Sequence, residues 1–249
     1  MQNKNIKIAI FDLDNTLSES RSCIDAEMAE LICALLDKMS VAVISGASFS
    51  YFDRQLLSQL SCKVKFDRLF ILPTSGAELW AHKENKWNMI YKDSMPDDLK
   101  KKAIDTVANV AGIKAEDKVK YIDNRGTQIT YAGLGADASM EEKKRYDPDQ
   151  SKRREFISKI KDLLPEFSLR IGGTSSIDIT VKGIDKSFGI TRLLSFAKID
   201  PRDAIFIGDA LYEGGNDESV KNIEGVRIIE TSGPEHTKNI IRELMNDHE

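Results

Sequence analysis

Short, unbroken apolar runs near both ends of this chain alternate with longer stretches whose apolar residues recur every three or four positions. Ile6 to Phe11, Val41 to Ile44, Arg68 to Leu72, Ala204 to Ile207 and Val226 to Ile229 read as strands of a parallel sheet buried on both faces. Between the first two, Ile24 to Lys38 places Met28, Leu31, Ile32, Leu35 and Leu36 on one stripe, which predicts a helix. Ser48 to Leu60 predicts another, opened by a serine cap, and Ser187 to Ala197 and Pro234 to Met245 predict two more. Ala77 to Tyr91 has the look of a short hairpin carrying Trp80 and Trp87, both read as packing residues. Strands in alternation with helices supply the crossovers that a parallel sheet needs, so the expected class is α/β.

From Asp93-Ser94-Met95-Pro96 the pattern changes. A polar, proline-containing stretch leads into a charged helix over Asp97 to Val110, and Val119 to Leu134 carries two strands around Asn124-Arg125-Gly126. A basic amphipathic helix over Asp149 to Leu164 follows, then two strands within Ser168 to Val181 about Gly172-Gly173. Strand and helix alternation resumes after Lys182-Gly183. The expected organisation is a discontinuous core, 1–93 with 184–249, and an α+β insert at 94–183.

Composition narrows the function classes. The 249 residues are 41% hydrophobic, enough for a buried core, and 36 Lys and Arg against 40 Asp and Glu give a net charge of -4. That balance supplies no general attraction to nucleic acid or to anionic membranes, so an anionic ligand has to be held by a local site. No run approaches the roughly 20 apolar residues of a membrane span, and MQNKNIKIAI lacks a signal-peptide layout. Cys23, Cys33 and Cys62 show no CxxC spacing and are expected to be reduced thiols, which with the preceding points gives a cytoplasmic expectation. His82, His236 and His248 form no ligand-like spacing.

The chemistry sits where the strands end. Asp12-Leu13-Asp14-Asn15-Thr16 follows the first apolar run, and Gly208-Asp209 with Gly214-Gly215-Asn216-Asp217 follows the run at 204–207. Carboxyl ends of strands open onto the crevice where α/β sheets bind ligands. If those two strands are neighbours, Asp12, Asp14 and Asp209 converge, and carboxylates that close repel unless a cation compensates. Hard oxygen ligands with positions left for water and a phosphate suit Mg²⁺. Ser45 after the second strand and Lys186 at a helix start add a hydroxyl and an ammonium. Phosphoryl transfer asks for such a set: one carboxylate to attack phosphorus, a second to manage the proton, and cations to offset the equatorial oxygens.

Asp12-Leu13-Asp14-Asn15-Thr16, Ser45-Gly46, Lys186 and Gly208-Asp209 with Gly214-Gly215-Asn216-Asp217 resemble, in order and spacing, the four motifs of the haloacid dehalogenase superfamily. The insert between the second and third motifs resembles the type IIB (C2B) cap. The resemblance implies a Rossmann-like core and an α+β lid, with Asp12 as nucleophile and Asp14 as general acid/base. It also implies Mg²⁺ on Asp12, the backbone of Asp14 and Asp209, supported by Asn216 and Asp217, with Ser45, Gly46 and Lys186 at the phosphoryl group.

Ser176-Ile177-Asp178-Ile179 and Gly183-Ile184-Asp185-Lys186 carry the similarity further, to eukaryotic-type α-phosphomannomutases. That likeness implies that Arg21 and Arg125 grip a remote phosphate, that Ser176 and Asp178 bind sugar hydroxyls, and that the cap can pair with a second copy. Two family arginines fall on Ala136 and Lys143, and Asn15 stands where the mutases have Gly. A mutase has to hold a bisphosphate at both ends while it turns over, whereas a phosphatase needs one anion site. Lysine keeps the charge and loses the planar fork, and alanine keeps neither. Lys143, Lys144 and Arg145 can rebuild an anion site, although such a run is ordinarily solvated surface. The expected function is a Mg²⁺-dependent phosphohydrolase acting on a small phosphorylated metabolite, a hexose phosphate. The alternatives are a mutase interconverting mannose 1-phosphate and mannose 6-phosphate, and a non-catalytic sugar-phosphate-binding module.

Overall fold

Every residue of β1 (Ile8–Asp12) is buried, because this strand lies in the interior of a sheet covered on both faces. In the computed structural model, which describes residues 6–135 and 137–246, β1 leads to α1 (Ala26–Lys38), β2 (Ser40–Ile44), α2 (Phe49–Phe52), β3 (Leu69–Leu72) and the hairpin β4 (Glu78–Lys83) and β5 (Lys86–Lys92). Next come α3 (Asp97–Ala111), α4 (Lys118–Tyr121), β6 (Ile122–Asn124), β7 (Gln128–Ala132), α5 (Met140–Tyr146), α6 (Ser151–Ile160), β8 (Phe167–Gly172) and β9 (Ser176–Val181). The chain closes with α7 (Lys186–Ala197), β10 (Ala204–Gly208), β11 (Arg227–Glu230) and α8 (Pro234–Asn246). It divides into two units: residues up to Lys92 with Asp185–Glu213 and from Asp217 onward, and Asp93–Ile184 with Gly214–Asn216.

The first unit holds a seven-stranded sheet in the order β11-β10-β1-β2-β3-β4-β5, parallel from β11 to β3 and antiparallel over the β4–β5 hairpin. Alternate side chains feed two cores. Ala9, Phe11, Val41, Val43, Ile205 and Ile207 meet Met28, Ile32 and Leu35 of α1 and Ile240 and Ile241 of α8. Ile8, Ile10, Ala42, Ile44 and Phe206 meet Ile190, Leu193 and Leu194 of α7 on the other face. Both neighbours being covered is why these strands read as continuous apolar runs. Strand order reverses at β1, which has β2 on one side and β10 on the other, so the crevice for a ligand opens at the ends of β1 and β10.

The second unit is a four-stranded antiparallel sheet, β6-β7-β9-β8. Its apolar face, with Ile122, Ile129, Ile177 and Ile179, packs on Ala103 and Val107 of α3 and Ile160 of α6. Its other face is polar and carries Gln128, Thr130, Ser176, Asp178 and Thr180.

Four local expectations are corrected. The helix foreseen over 48–60 is a short α2 that widens into a π-helical turn over Asp53–Leu57, and Ser48 makes no cap bond because its hydroxyl pairs with that of Ser50 at 3.0 Å. Val119 lies on the helical turn α4 rather than in a strand; it is 89% exposed and so marks no core position. The Lys143-Lys144-Arg145 run forms part of α5, opened by a Ser139/Glu142 capping box, and Lys143 is buried while the other two are exposed. Finally, Cys33 and Cys62 form a disulfide, since α1 and the segment after the π-helical turn bring their Cα atoms to 5.7 Å across a separation of 29 residues. Such a pairing of distant thiols leaves no spacing signature, and Cys23 is the free thiol.

Candidate active site

Asp12 closes β1 and is almost completely buried; Asp209 follows β10 at the adjacent strand end. The pairing Phe11↔Ile207 sets the two ends side by side, and Asp12↔Ile44 brings Ser45, the residue after β2, to the same edge. Asp217 completes the group: carboxylate oxygens of Asp12, Asp209 and Asp217 lie within 4.8 Å of one another. Gly208 makes room for this, because a Cβ there would collide with Asp217 Oδ2, the atom that accepts a bond from the Ala210 amide at 3.1 Å.

Lys186 occupies the first position of α7, whose N-terminus is capped by Asp185 accepting from the Phe188 amide at 3.1 Å. Its ammonium, 1% exposed, donates to both Asp12 Oδ1 and Asp217 Oδ1. Burial works against that charge, yet the two carboxylates outweigh it and hold the Lys186 pKa above its usual range. Burial pushes the Asp12 carboxyl well above the carboxylate range against the pull of Lys186, and Asp217 and Asp209 add to the rise. Burial and the neighbouring Asp217 push Asp209 up to about 6. Three carboxylates against one ammonium leave two negative charges when all are ionised. A hard divalent cation fits such an oxygen donor set and would offset that excess negative charge.

Around this centre, Thr16 donates its hydroxyl to Asp209 Oδ1 at 3.4 Å. Asp14 accepts at Oδ1 from the Arg21 backbone amide at 2.5 Å, with Arg21 in the left-handed region at φ 61°. Ser45 is buried and its Oγ accepts from the Ala47 amide at 3.2 Å across Gly46. Asn216 Oδ1 is buried with no hydrogen-bond partner in the described structure. Thus Asp12, Asp209, Asp217 and Lys186 are brought together, Ser45 stands on the same sheet edge, and Asp14 is tied to the Arg21 backbone instead of joining the carboxylate cluster.

In the second unit, Asp178 accepts from the Thr130 hydroxyl at 2.9 Å and faces Arg170 in register across β8, while Ser176 donates to the Gly172 carbonyl at 2.7 Å. Arg125 lies at the β6–β7 turn and donates to Asp123 at 2.8 Å. Lys143 is buried on α5, and Ala136 lies outside the described residues. Sequence reasoning missed Thr16 and the turn Thr74–Gly76, which bonds to the Ser45 loop. The signal for the latter is Pro73-Thr74-Ser75-Gly76, turn residues directly after the apolar run that forms β3.

Residues 28–247 match the family model described as eukaryotic phosphomannomutase. The chain belongs to that family. It is 30% identical to a phosphomannomutase of Arabidopsis thaliana over 222 residues, 86% of either chain. It is 28% identical to phosphomannomutase 2 of Dictyostelium discoideum over 230 residues, 89% of this chain and 88% of that one. Among solved structures, IMP-bound IMP-nucleotidase of Plasmodium falciparum matches with a TM-score of 0.70 at 18% identity, covering 96% of this chain and 68% of that chain. A haloacid dehalogenase-like hydrolase from Bacteroides thetaiotaomicron matches with a TM-score of 0.67 at 16% identity, covering 96% and 99%. These likenesses establish the haloacid dehalogenase fold, a Rossmann-like core with a cap. The family makes the chain an enzyme of that type, a phosphatase or a phosphotransferase.

Proposed function

We propose that this family member is a Mg²⁺-dependent phosphohydrolase acting on a small phosphorylated metabolite, a hexose phosphate. The observation that carries the reading is the convergence of Asp12, Asp209 and Asp217 on the Lys186 ammonium at the ends of β1 and β10. Asp12 is the nucleophile: its carboxylate oxygen bonds to phosphorus as the bond from phosphorus to the sugar oxygen breaks. Asp14 gives its proton to that leaving oxygen, then takes one from the water that attacks the aspartyl-phosphate, releasing phosphate and restoring Asp12. Lys186, Ser45 and the Gly46 backbone hold the transferring group. Asp12, Asp209 and Asp217, with Asn216 and the Asp14 backbone, would hold the metal ion. When bound, Mg²⁺ supplies positive charge against the phosphoryl oxygens. Arg21, Arg125, Lys143, Ser176 and Asp178 are assigned to the rest of the substrate.

The family match favours a second reading, an α-phosphomannomutase-like phosphotransferase, in which the phosphoryl group passes from Asp12 to another sugar hydroxyl instead of to water. Ala136 and Lys143 in place of two family arginines support the hydrolase, because they weaken a second anion grip. The experiment is incubation with Mg²⁺ and mannose 1-phosphate, with and without a trace of hexose 1,6-bisphosphate, following inorganic phosphate and mannose 6-phosphate together. Phosphate released regardless of bisphosphate is the expected result. Bisphosphate-dependent mannose 6-phosphate with little free phosphate makes it a mutase, and full activity in EDTA removes the metal.

A further inference from the structure

Thr74 and Ser75 stand in the left-handed region at φ 49° and φ 59°, where a β-branched residue is an outlier that something else in the structure has to stabilise. The Thr74 hydroxyl does not do so, being buried with no hydrogen-bond partner in the described structure. Two backbone bonds do. The Thr74 amide donates to the Ala47 carbonyl at 3.0 Å and the Ser75 amide to the Ser45 carbonyl at 2.8 Å, so the turn grips the phosphate-binding loop on either side of Gly46.

The other side of the same turn bears on α7. A Cβ on Gly189 would fall 2.5 Å from Gly76 Cα, and one on Gly76 would fall 2.6 Å from Gly189 Cα, so the two backbones touch with no side chain between them. Gly189 lies one helical turn beyond Lys186. Tyr91 donates its hydroxyl to the Gly76 carbonyl at 2.9 Å, and Arg192 of α7 lies over the Tyr91 ring at 3.5 Å.

We propose that the turn Thr74–Gly76 is the positioning element that fixes the separation between the Ser45 loop and the Lys186 ammonium, with the Gly76–Gly189 contact and the Tyr91 hydroxyl as its anchor points. The inference rests on the reading that Ser45 and Lys186 hold the phosphoryl group. A methyl wedged between Gly76 and Gly189 has to push α7 outward, and displacement of a catalytic group by about 1 Å costs up to 10²-fold in rate. Alanine is the better helix former, so Gly189→Ala does not weaken α7 itself.

The test compares wild type, Gly189→Ala and Tyr91→Phe in the whole Mg²⁺-loaded protein, measuring kcat, KM and inhibition by orthovanadate, a mimic of the phosphoryl transition state. Gly189→Ala is expected to lower kcat about tenfold or more with a smaller change in KM, and Tyr91→Phe about threefold. Orthovanadate inhibition should weaken in proportion, a readout that loss of folded protein alone does not move. Unchanged kcat and orthovanadate inhibition in both variants would overturn the proposal; if Gly189→Ala does not fold, Tyr91→Phe decides. A wild-type protein without Mg²⁺-dependent turnover defeats the functional reading instead.

Discussion

Asp147 and Arg153 in the second unit, and Asp12, Asp209, Asp217 and Lys186 in the first, are both charges taken out of water, but only the former set is closed. Arg153 donates through Nε to Asp147 Oδ2 at 2.7 Å and through Nη1 and Nη2 to the carbonyls of Gly172, Gly173 and Asp147. Asp147 also accepts from the backbone amides of Lys152 and Arg153. One charge meets one countercharge, and although burial pushes the Asp147 carboxyl up, Arg153 and the two amides hold its pKa below the usual range. In the first unit burial prevails over Lys186, and both Asp12 and Asp209 are raised. A closed cluster fixes α6 against its sheet; an open one retains the capacity to take a cation and a substrate anion.

Breaking the open cluster should abolish chemistry before it disturbs the fold. Asp12→Asn is expected to lower turnover by at least about 10³-fold, roughly 4 kcal/mol in barrier, while circular dichroism and the thermal midpoint stay close to wild type. An unchanged rate would remove Asp12 as the nucleophile. Breaking the closed cluster should do the reverse. Arg153→Met leaves the Asp147 carboxylate buried without its partner and is expected to cost about 3–5 kcal/mol in denaturant unfolding, since removal of one member strands the other. If the loss is below about 1 kcal/mol, the pair is not the lock described above.

The metal sharpens the contrast. Mg²⁺ at a hundred times its dissociation constant should stabilise the folded protein by about 2.7 kcal/mol, and Asp209→Asn should remove most of that gain. Melting curves that coincide with and without Mg²⁺ would show the acids to be self-sufficient. Acid separates the clusters as well. Because Asp147 has a folded pKa below its unfolded value, its contribution is present above the unfolded value near 4 and is lost as pH falls through the folded one. Arg153→Met should therefore flatten the stability profile below about pH 4, where wild type loses stability.

Much of the open cluster was legible in the sequence because Asp12 and Asp209 end apolar strands and Lys186 starts a helix, which the topology of a parallel sheet brings to one edge. Asp217 entered only through the family resemblance, and Asp14, expected to converge with the others, is held away by the Arg21 amide. The closed pair was not legible. Asp147 precedes Pro148 and Arg153 lies in the basic amphipathic helix predicted from Asp149, where no local signal marks either charge as buried, because the pairing is completed by carbonyls at Gly172 and Gly173. The same holds for the Cys33–Cys62 disulfide and the Thr74–Gly76 turn, each set by a partner distant in sequence that periodicity does not report, and the burial of Lys143 within a basic run is equally invisible to it. Local signals existed for two of them, the Ser139-x-x-Glu142 capping box that begins the helix of Lys143 and the Pro73-to-Gly76 turn chemistry.

The smallest expected effect bears on why Ser75 keeps a left-handed backbone beside the open cluster. Its φ of 59° and ψ of 28° suit glycine, and a non-glycine residue there carries a cost of about 1 kcal/mol or more. Ser75→Gly removes that cost while adding chain entropy to the unfolded state, so the net stabilisation should be a few tenths of a kcal/mol up to about 1 kcal/mol. The amide that donates to the Ser45 carbonyl is unaffected by the change, so turnover should stay within about twofold of wild type. A stabilised but much slower enzyme would mean that the serine side chain itself, and not the backbone it holds, serves the Ser45 loop.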